Sequence, residues 1–98
     1  MTRDAALAVL RQQRSALQER QVARVALFGS VARGDAMAGS DVDVLIEFDP
    51  QARVTLYDYA AVKRFIAELL GGRVDVIDRA NLNRHIRAEV ERDAVYAF

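Results

Sequence analysis

The sequence contains no cysteine, which excludes a disulfide framework and any thiolate metal site. It also lacks a long apolar run. Nothing approaches transmembrane length, and the opening Met1-Thr2-Arg3-Asp4-Ala5 leads into a charged amphipathic stretch instead of the apolar segment of a secretory signal. A cytoplasmic protein without membrane contact is expected. An excess of either charge is missing too: fourteen Lys and Arg balance fourteen Asp and Glu, so no global field draws the chain toward nucleic acid or anionic lipid. With no basic stripe, direct nucleic-acid binding is disfavoured. The one histidine, His85, lies between Arg84 and Arg87 and reads as a surface residue, not as a ligand or base.

What remains is the composition of an ordinary folding domain. With 52% hydrophobic and 29% charged residues in 98 positions, one modest core is expected, and residues 1–98 read as a single domain with no repeat, low-complexity tract or linker. All of the cations except Lys63 are arginine. Their rigid forks suit phosphates and carboxylates, although a compositional habit of the source genome accounts for most of them.

Residues 4–21 carry Ala6, Leu7, Leu10 and Leu17 at helical spacing, with Thr2 as N-cap. Val22 to Phe28 is short, rich in β-formers and stopped by Gly29, which predicts a buried strand; Ser30 to Arg33 then forms one helical turn before Gly34. A loop over Asp35–Ser40 leads to Asp41–Phe48, the best strand in the chain. There Val42, Val44, Ile46 and Phe48 alternate with Asp41, Asp43, Leu45 and Glu47, so one face is apolar and the other begins with two carboxylates. Thr55 and Asp58 resemble a capping box at the start of a helix over Leu56–Leu70 that Gly71-Gly72 stops. Its apolar stripe takes in Tyr59, and Tyr57, Tyr59 and Tyr96 all read as packing residues. A strand over Arg73–Ile77 and a last helix capped by Asn81, with Leu82, Ile86, Val90 and Ala94 buried, complete the order α-β-α-β-α-β-α. Strands alternating with helices imply an α/β (α+β) fold: a small mixed sheet flanked by helices.

Asp41 and Asp43 share one face of a strand with Cα atoms about 6–7 Å apart, a spacing that suits a shared metal site. Mg²⁺ prefers oxygen ligands and usually takes one or two protein carboxylates together with substrate phosphates. Two-ion nucleotidyl transfer needs a third carboxylate. Asp75 is favoured because it interrupts the apolar run Val74, Val76, Ile77 where an unpaired charge is costly, whereas Asp78 at the strand exit reads as a turn residue. Gly29-Ser30 lets backbone N–H groups and a hydroxyl face a phosphate at a helix start, and Arg33 one turn on either reaches a phosphate oxygen or leaves as a surface cation. Each element alone is weak, since a Gly-Ser is usually a turn and an Asp-x-Asp usually a solvated strand end. Together in a strand-turn-loop-strand frame they are specific.

Gly29-Ser30-Val31-Ala32-Arg33-Gly34 followed by Ser40-Asp41-Val42-Asp43 resembles the signature of the DNA polymerase beta-like nucleotidyltransferase superfamily, and the Ala-Arg-Gly and chain length resemble its minimal nucleotidyltransferase (MNT) members. The resemblance implies that Gly29 and Ser30 hold a nucleoside triphosphate and that Asp41 and Asp43, with Asp75 as third carboxylate, bind Mg²⁺. It further implies that this domain, like other minimal members, lacks the acceptor-binding domain of larger relatives. A partner then supplies the acceptor: a helical HEPN ribonuclease toxin, one of whose tyrosines receives AMP from ATP, so that the MNT protein acts as its antitoxin. Two other readings stand beside this one, an antitoxin that acts by binding alone with a vestigial site and nucleotidyl transfer to a small molecule.

Overall fold

A computed structural model describes residues 1–37 and 39–98. Of the loop expected over 35–40, Ala38 lies outside the described residues. Helices α1 (Arg3–Gln12) and α2 (Arg14–Glu19) lead into strand β1 (Val22–Phe28), the short helix α3 (Gly29–Arg33) and strand β2 (Val42–Phe48). Helix α4 (Leu56–Leu70), strand β3 (Val74–Asp78), a 3₁₀ turn at Arg79–Asn81, helix α5 (Arg84–Asp93) and strand β4 (Val95–Tyr96) follow.

The strands form one mixed sheet in the order β3-β2-β1-β4. Strand β2 runs antiparallel to β1, with Leu27 opposite Val44 and Phe28 opposite Asp43, and parallel to β3, with Asp43 opposite Asp75 and Leu45 opposite Ile77. The alternation read in β2 sorts its side chains between two cores. Val42, Val44 and Ile46 pack with Val25 and Leu27 under Leu10, Leu17, Val62 and Ile66 of the helices on one face. Leu45 and Ala26 pack with Leu82 and Val90 on the other. A register shift between Val22 and Arg24 lets Val22 join the same core as Val25, which strict alternation forbids.

Local signals placed most ends correctly. Thr2 Oγ1 accepts from the Ala5 N–H at 3.2 Å. Thr55 and Asp58 form a full capping box: Thr55 Oγ1 accepts from the Asp58 N–H at 3.2 Å, and Asp58 Oδ2 accepts from the Thr55 N–H at 2.9 Å. Gly71 ends α4 at φ 68°, in the left-handed conformation that favours glycine.

Three details differ from the sequence reading. The first helix is two, because Gln13 (φ −99°, ψ 16°) leaves helical geometry in a polar stretch that buries nothing to oppose a bend, while Leu17 still reaches the core. The last helix starts later: Asp78 caps the 3₁₀ turn that ends at Asn81, Leu82 is extended, and Asn83 caps α5 through the His85 N–H at 2.8 Å. Ile86 is consequently 44% exposed, and Ala94 lies past the helix end. Strand β4 carried no usable pattern, being two residues long; it pairs Val95 with Leu27 and Tyr96 with Ala26 along the free edge of β1.

Candidate active site

The site lies where β1 ends and β2 begins, on the sheet face that also carries α5. The antiparallel register sets Phe28 beside Asp43, so the turn immediately after Phe28 must pass over the Asp43 side chain. Gly29 makes this passage. Its φ is +73°, and a Cβ built there would overlap Asp43 Oδ2 and lie 3.2 Å from Asp43 Cγ. Both the conformation and the space demand glycine. Ser30, half-buried, follows within α3, and Gly34 ends that helix at φ 79°.

The parallel register of β2 and β3 brings Asp75 next to Asp43. Asp41, expected as the first residue of the strand, lies just outside it, because the pairing of β2 with β1 and β3 begins only at Asp43 and Val42, yet its charge still acts on Asp43. Burial holds the Asp43 carboxyl above the ordinary aspartate range; the negative charges of Asp75 and Asp41 push it the same way, and Arg33 opposes them. The three carboxylates expected from the sequence are thus one electrostatic unit. Asp75 is exposed on the edge strand, not buried. Its carboxyl is therefore not a buried charge, and cross-strand register places it beside Asp43. Asp78 stands apart: its side chain accepts from the Ala80 N–H at 3.0 Å as the cap of the 3₁₀ turn.

Among the described residues no three acidic or histidine side chains converge on one point. The donor set nevertheless fits Mg²⁺, which takes one or two carboxylates and completes its shell with water and phosphate oxygens. One half-buried carboxylate whose charge is disfavoured, flanked by two exposed ones, is an arrangement a divalent cation relieves.

Arg33 is neither a free surface cation nor aimed at open space. Its Nη1 lies 2.9 Å from Asp93 Oδ2 at the end of α5, and its Nε lies 3.3 Å from Asp35 Oδ2. Asp93 lies sixty positions away in sequence and carries no motif, so no local pattern points to it. Tyr59 packs as expected, edge-on to Phe48, while its hydroxyl donates to the Val76 carbonyl at 3.0 Å and accepts from the Asp78 N–H at 3.2 Å. Tyr57, expected to pack, is 89% exposed beside the exposed Leu56 in the first turn of α4, whose buried line begins only at Val62.

The chain is similar to known proteins in both sequence and fold. Residues 10–97 match the family model described as the nucleotidyltransferase domain. The protein adenylyltransferase MntA of Thermococcus cleftensis is 34% identical over 89 residues, covering 90% of this chain and 88% of that protein. A solved structure of a protein assigned as a minimal nucleotidyltransferase superposes with a TM-score of 0.80 at 36% identity, covering 97% of this chain and 95% of the other. The fold is shared also by the MNT antitoxin solved with a tri-AMPylated HEPN toxin of Shewanella oneidensis, at a TM-score of 0.67 and 13% identity, over 99% of this chain and 72% of that one. No helix of the described residues is long and apolar enough to cross a membrane. With the family model matched over residues 10–97 and a protein adenylyltransferase 34% identical over most of both chains, the chain belongs to the nucleotidyltransferase domain family of enzymes.

Proposed function

We propose that this single domain transfers AMP from ATP to a tyrosine hydroxyl of a partner HEPN ribonuclease toxin in the cytoplasm, and so acts as its antitoxin. The observation that carries the reading is the contact of the Gly29 turn with Asp43 beside Asp75. A phosphate cradle and a carboxylate cluster are thereby held against each other. The naming of a relative of 34% identity as a protein adenylyltransferase, and the occurrence of the same fold in MNT–HEPN complexes, support the acceptor and the partner.

In this reading the backbone of Gly29 and the hydroxyl of Ser30 hold the triphosphate, and Arg33 adds positive charge alongside. Asp41, Asp43 and Asp75 would hold Mg²⁺. Bound there, Mg²⁺ supplies neutralisation of the charge that develops on the phosphate oxygens and a more acidic acceptor hydroxyl. The acceptor oxygen attacks the α-phosphorus in line, the bond to the bridging oxygen breaks, pyrophosphate leaves with that electron pair, and the hydroxyl proton passes to solvent. Positioning supplies most of the rate. The exposure of Asp41 and Asp75 leaves this end open to a macromolecular acceptor.

Incubating the chain with the product of its neighbouring gene, Mg²⁺ and ATP, then mapping adducts by mass spectrometry, tests the proposal. AMP on a partner tyrosine is expected. An unmodified partner whose ribonuclease activity is nonetheless silenced would replace the proposal with neutralisation by binding alone.

A further inference from the structure

The triphosphate cradle is built on a helix that cannot hold itself. Helix α3 has five residues, far fewer than a helix needs to persist in water, so its orientation is set by what grips it. Its C-terminal half is gripped from two distant elements. Arg3 of α1 donates to the Ala32 carbonyl at 3.2 Å, and Asp93 of α5 takes Arg33 Nη1 at 2.9 Å. Asp93 is an unusual residue to find there. It closes α5 at the C-terminal end, where the helix dipole disfavours an acid, so its own helix gains nothing from it. It is also the better shielded member of the pair, its side chain 21% exposed against 46% for Arg33.

Resting on the nucleotidyl-transfer reading, we infer that Asp93 is a positioning residue which, by holding Arg33, fixes helix α3 and with it the Gly29–Ser30 turn against the carboxylates. Arg33 links the two ends of this arrangement, since its charge also acts on Asp43. Helix α5, which reaches the site through Arg33, thereby sets how well the cradle is formed before nucleotide arrives.

A double-mutant cycle on the full chain, using Asp93→Asn, Arg33→Met and the combined variant, tests this. Hydrogen exchange of the amides of residues 30–34 and calorimetric affinity for Mg²⁺ with α,β-methylene ATP, which is inert at the reacting bridge, are the two readouts. Asp93→Asn is expected to speed exchange in α3 and to weaken the nucleotide, each by roughly five- to tenfold, while the β1 amides of residues 25–27 keep their protection. In the Arg33→Met background Asp93→Asn should add nothing. Unchanged α3 exchange and affinity in Asp93→Asn, or equal losses in both backgrounds, overturns the inference. If Asp93→Asn opens the whole chain, which the β1 amides report, Arg33→Lys makes the same comparison by keeping the charge and losing the fork. A wild-type chain that binds no nucleotide sinks the transfer reading, yet the exchange cycle still decides whether Asp93 holds the turn.

Discussion

Gly29 and Asp43 are matched in space: the carboxylate of Asp43 occupies the volume that any side chain at position 29 would need. Two separate sequence signals, a Gly-Ser and an Asp-x-Asp, are therefore one interlocked feature. Gly29→Ala should destabilise the protein by more than about 1 kcal/mol from the positive φ alone, before the overlap with Asp43 is counted. Urea unfolding at constant m-value measures it, and AMP transfer should fall together with stability. A fully stable, fully active Gly29→Ala protein would mean that the turn is not as tight as described.

The strain on Asp43 is electrostatic, and it gives a pH dependence. The folded state holds this carboxyl above its ordinary value, so between the ordinary and the raised values the folded chain binds more protons than the unfolded one. Stability is then greatest below that window and falls as pH rises through it. Asp43→Asn should accordingly raise the melting temperature at pH 7 in the absence of divalent ions, with the gain vanishing at acid pH. Mg²⁺ should stabilise wild type and leave the Asn variant almost unmoved. Thermal melts at several pH values with and without Mg²⁺ decide the point; a variant less stable than wild type at pH 7 without metal contradicts it.

Asp41→Asn and Asp43→Asn, alone or together, should lower transfer to the partner at least about 100-fold while the circular dichroism spectrum stays native, because metal and phosphate binding are lost without any core contact. Their effect in cells is the sharper measurement. If the double variant protects a host from the toxin as well as wild type does, binding neutralises the toxin and catalysis is secondary.

Tyr59 separates structure from chemistry. Its hydroxyl joins α4 to both the Val76 carbonyl and the Asp78 N–H, away from the carboxylates. Tyr59→Phe should cost about 1 kcal/mol of stability and leave nucleotide affinity unchanged. A loss of affinity would show that β3, and Asp75 with it, depends on this anchor.

The helix caps at Thr2, Thr55 and Gly71, the period-two pattern of β2 and the bounds of α4 were legible in the sequence because each depends on residues within a turn or two of one another. Where two local signals competed, locality was not enough. Asn81 and Asn83 are both competent caps, and burial of Leu82 against Ala26 and Leu45 selects the second. The polar stretch at Arg11–Arg14 carried no sign of the bend, and Tyr57 looked like a packing residue until the first turn of α4 proved to stand clear of the core.

The site divides in the same way. By itself the sequence determined the pieces: a strand that begins at a pair of closely spaced carboxylates, a glycine turn at the end of the strand before it, and a third carboxylate within a later strand, since these follow from residue type and short spacing. Only the tertiary structure decided how those pieces combine. Asp75 joins the site by the parallel register of β2 and β3, Gly29 presses on Asp43 by the antiparallel register of β1 and β2, and Arg33 is committed to Asp93 by the packing of α3 against α5. These relations link residues tens of positions apart, and nothing in a local pattern encodes which distant partner a strand edge or an arginine will meet. That choice belongs to the core, where burial on both faces of the sheet permits one register and excludes the rest.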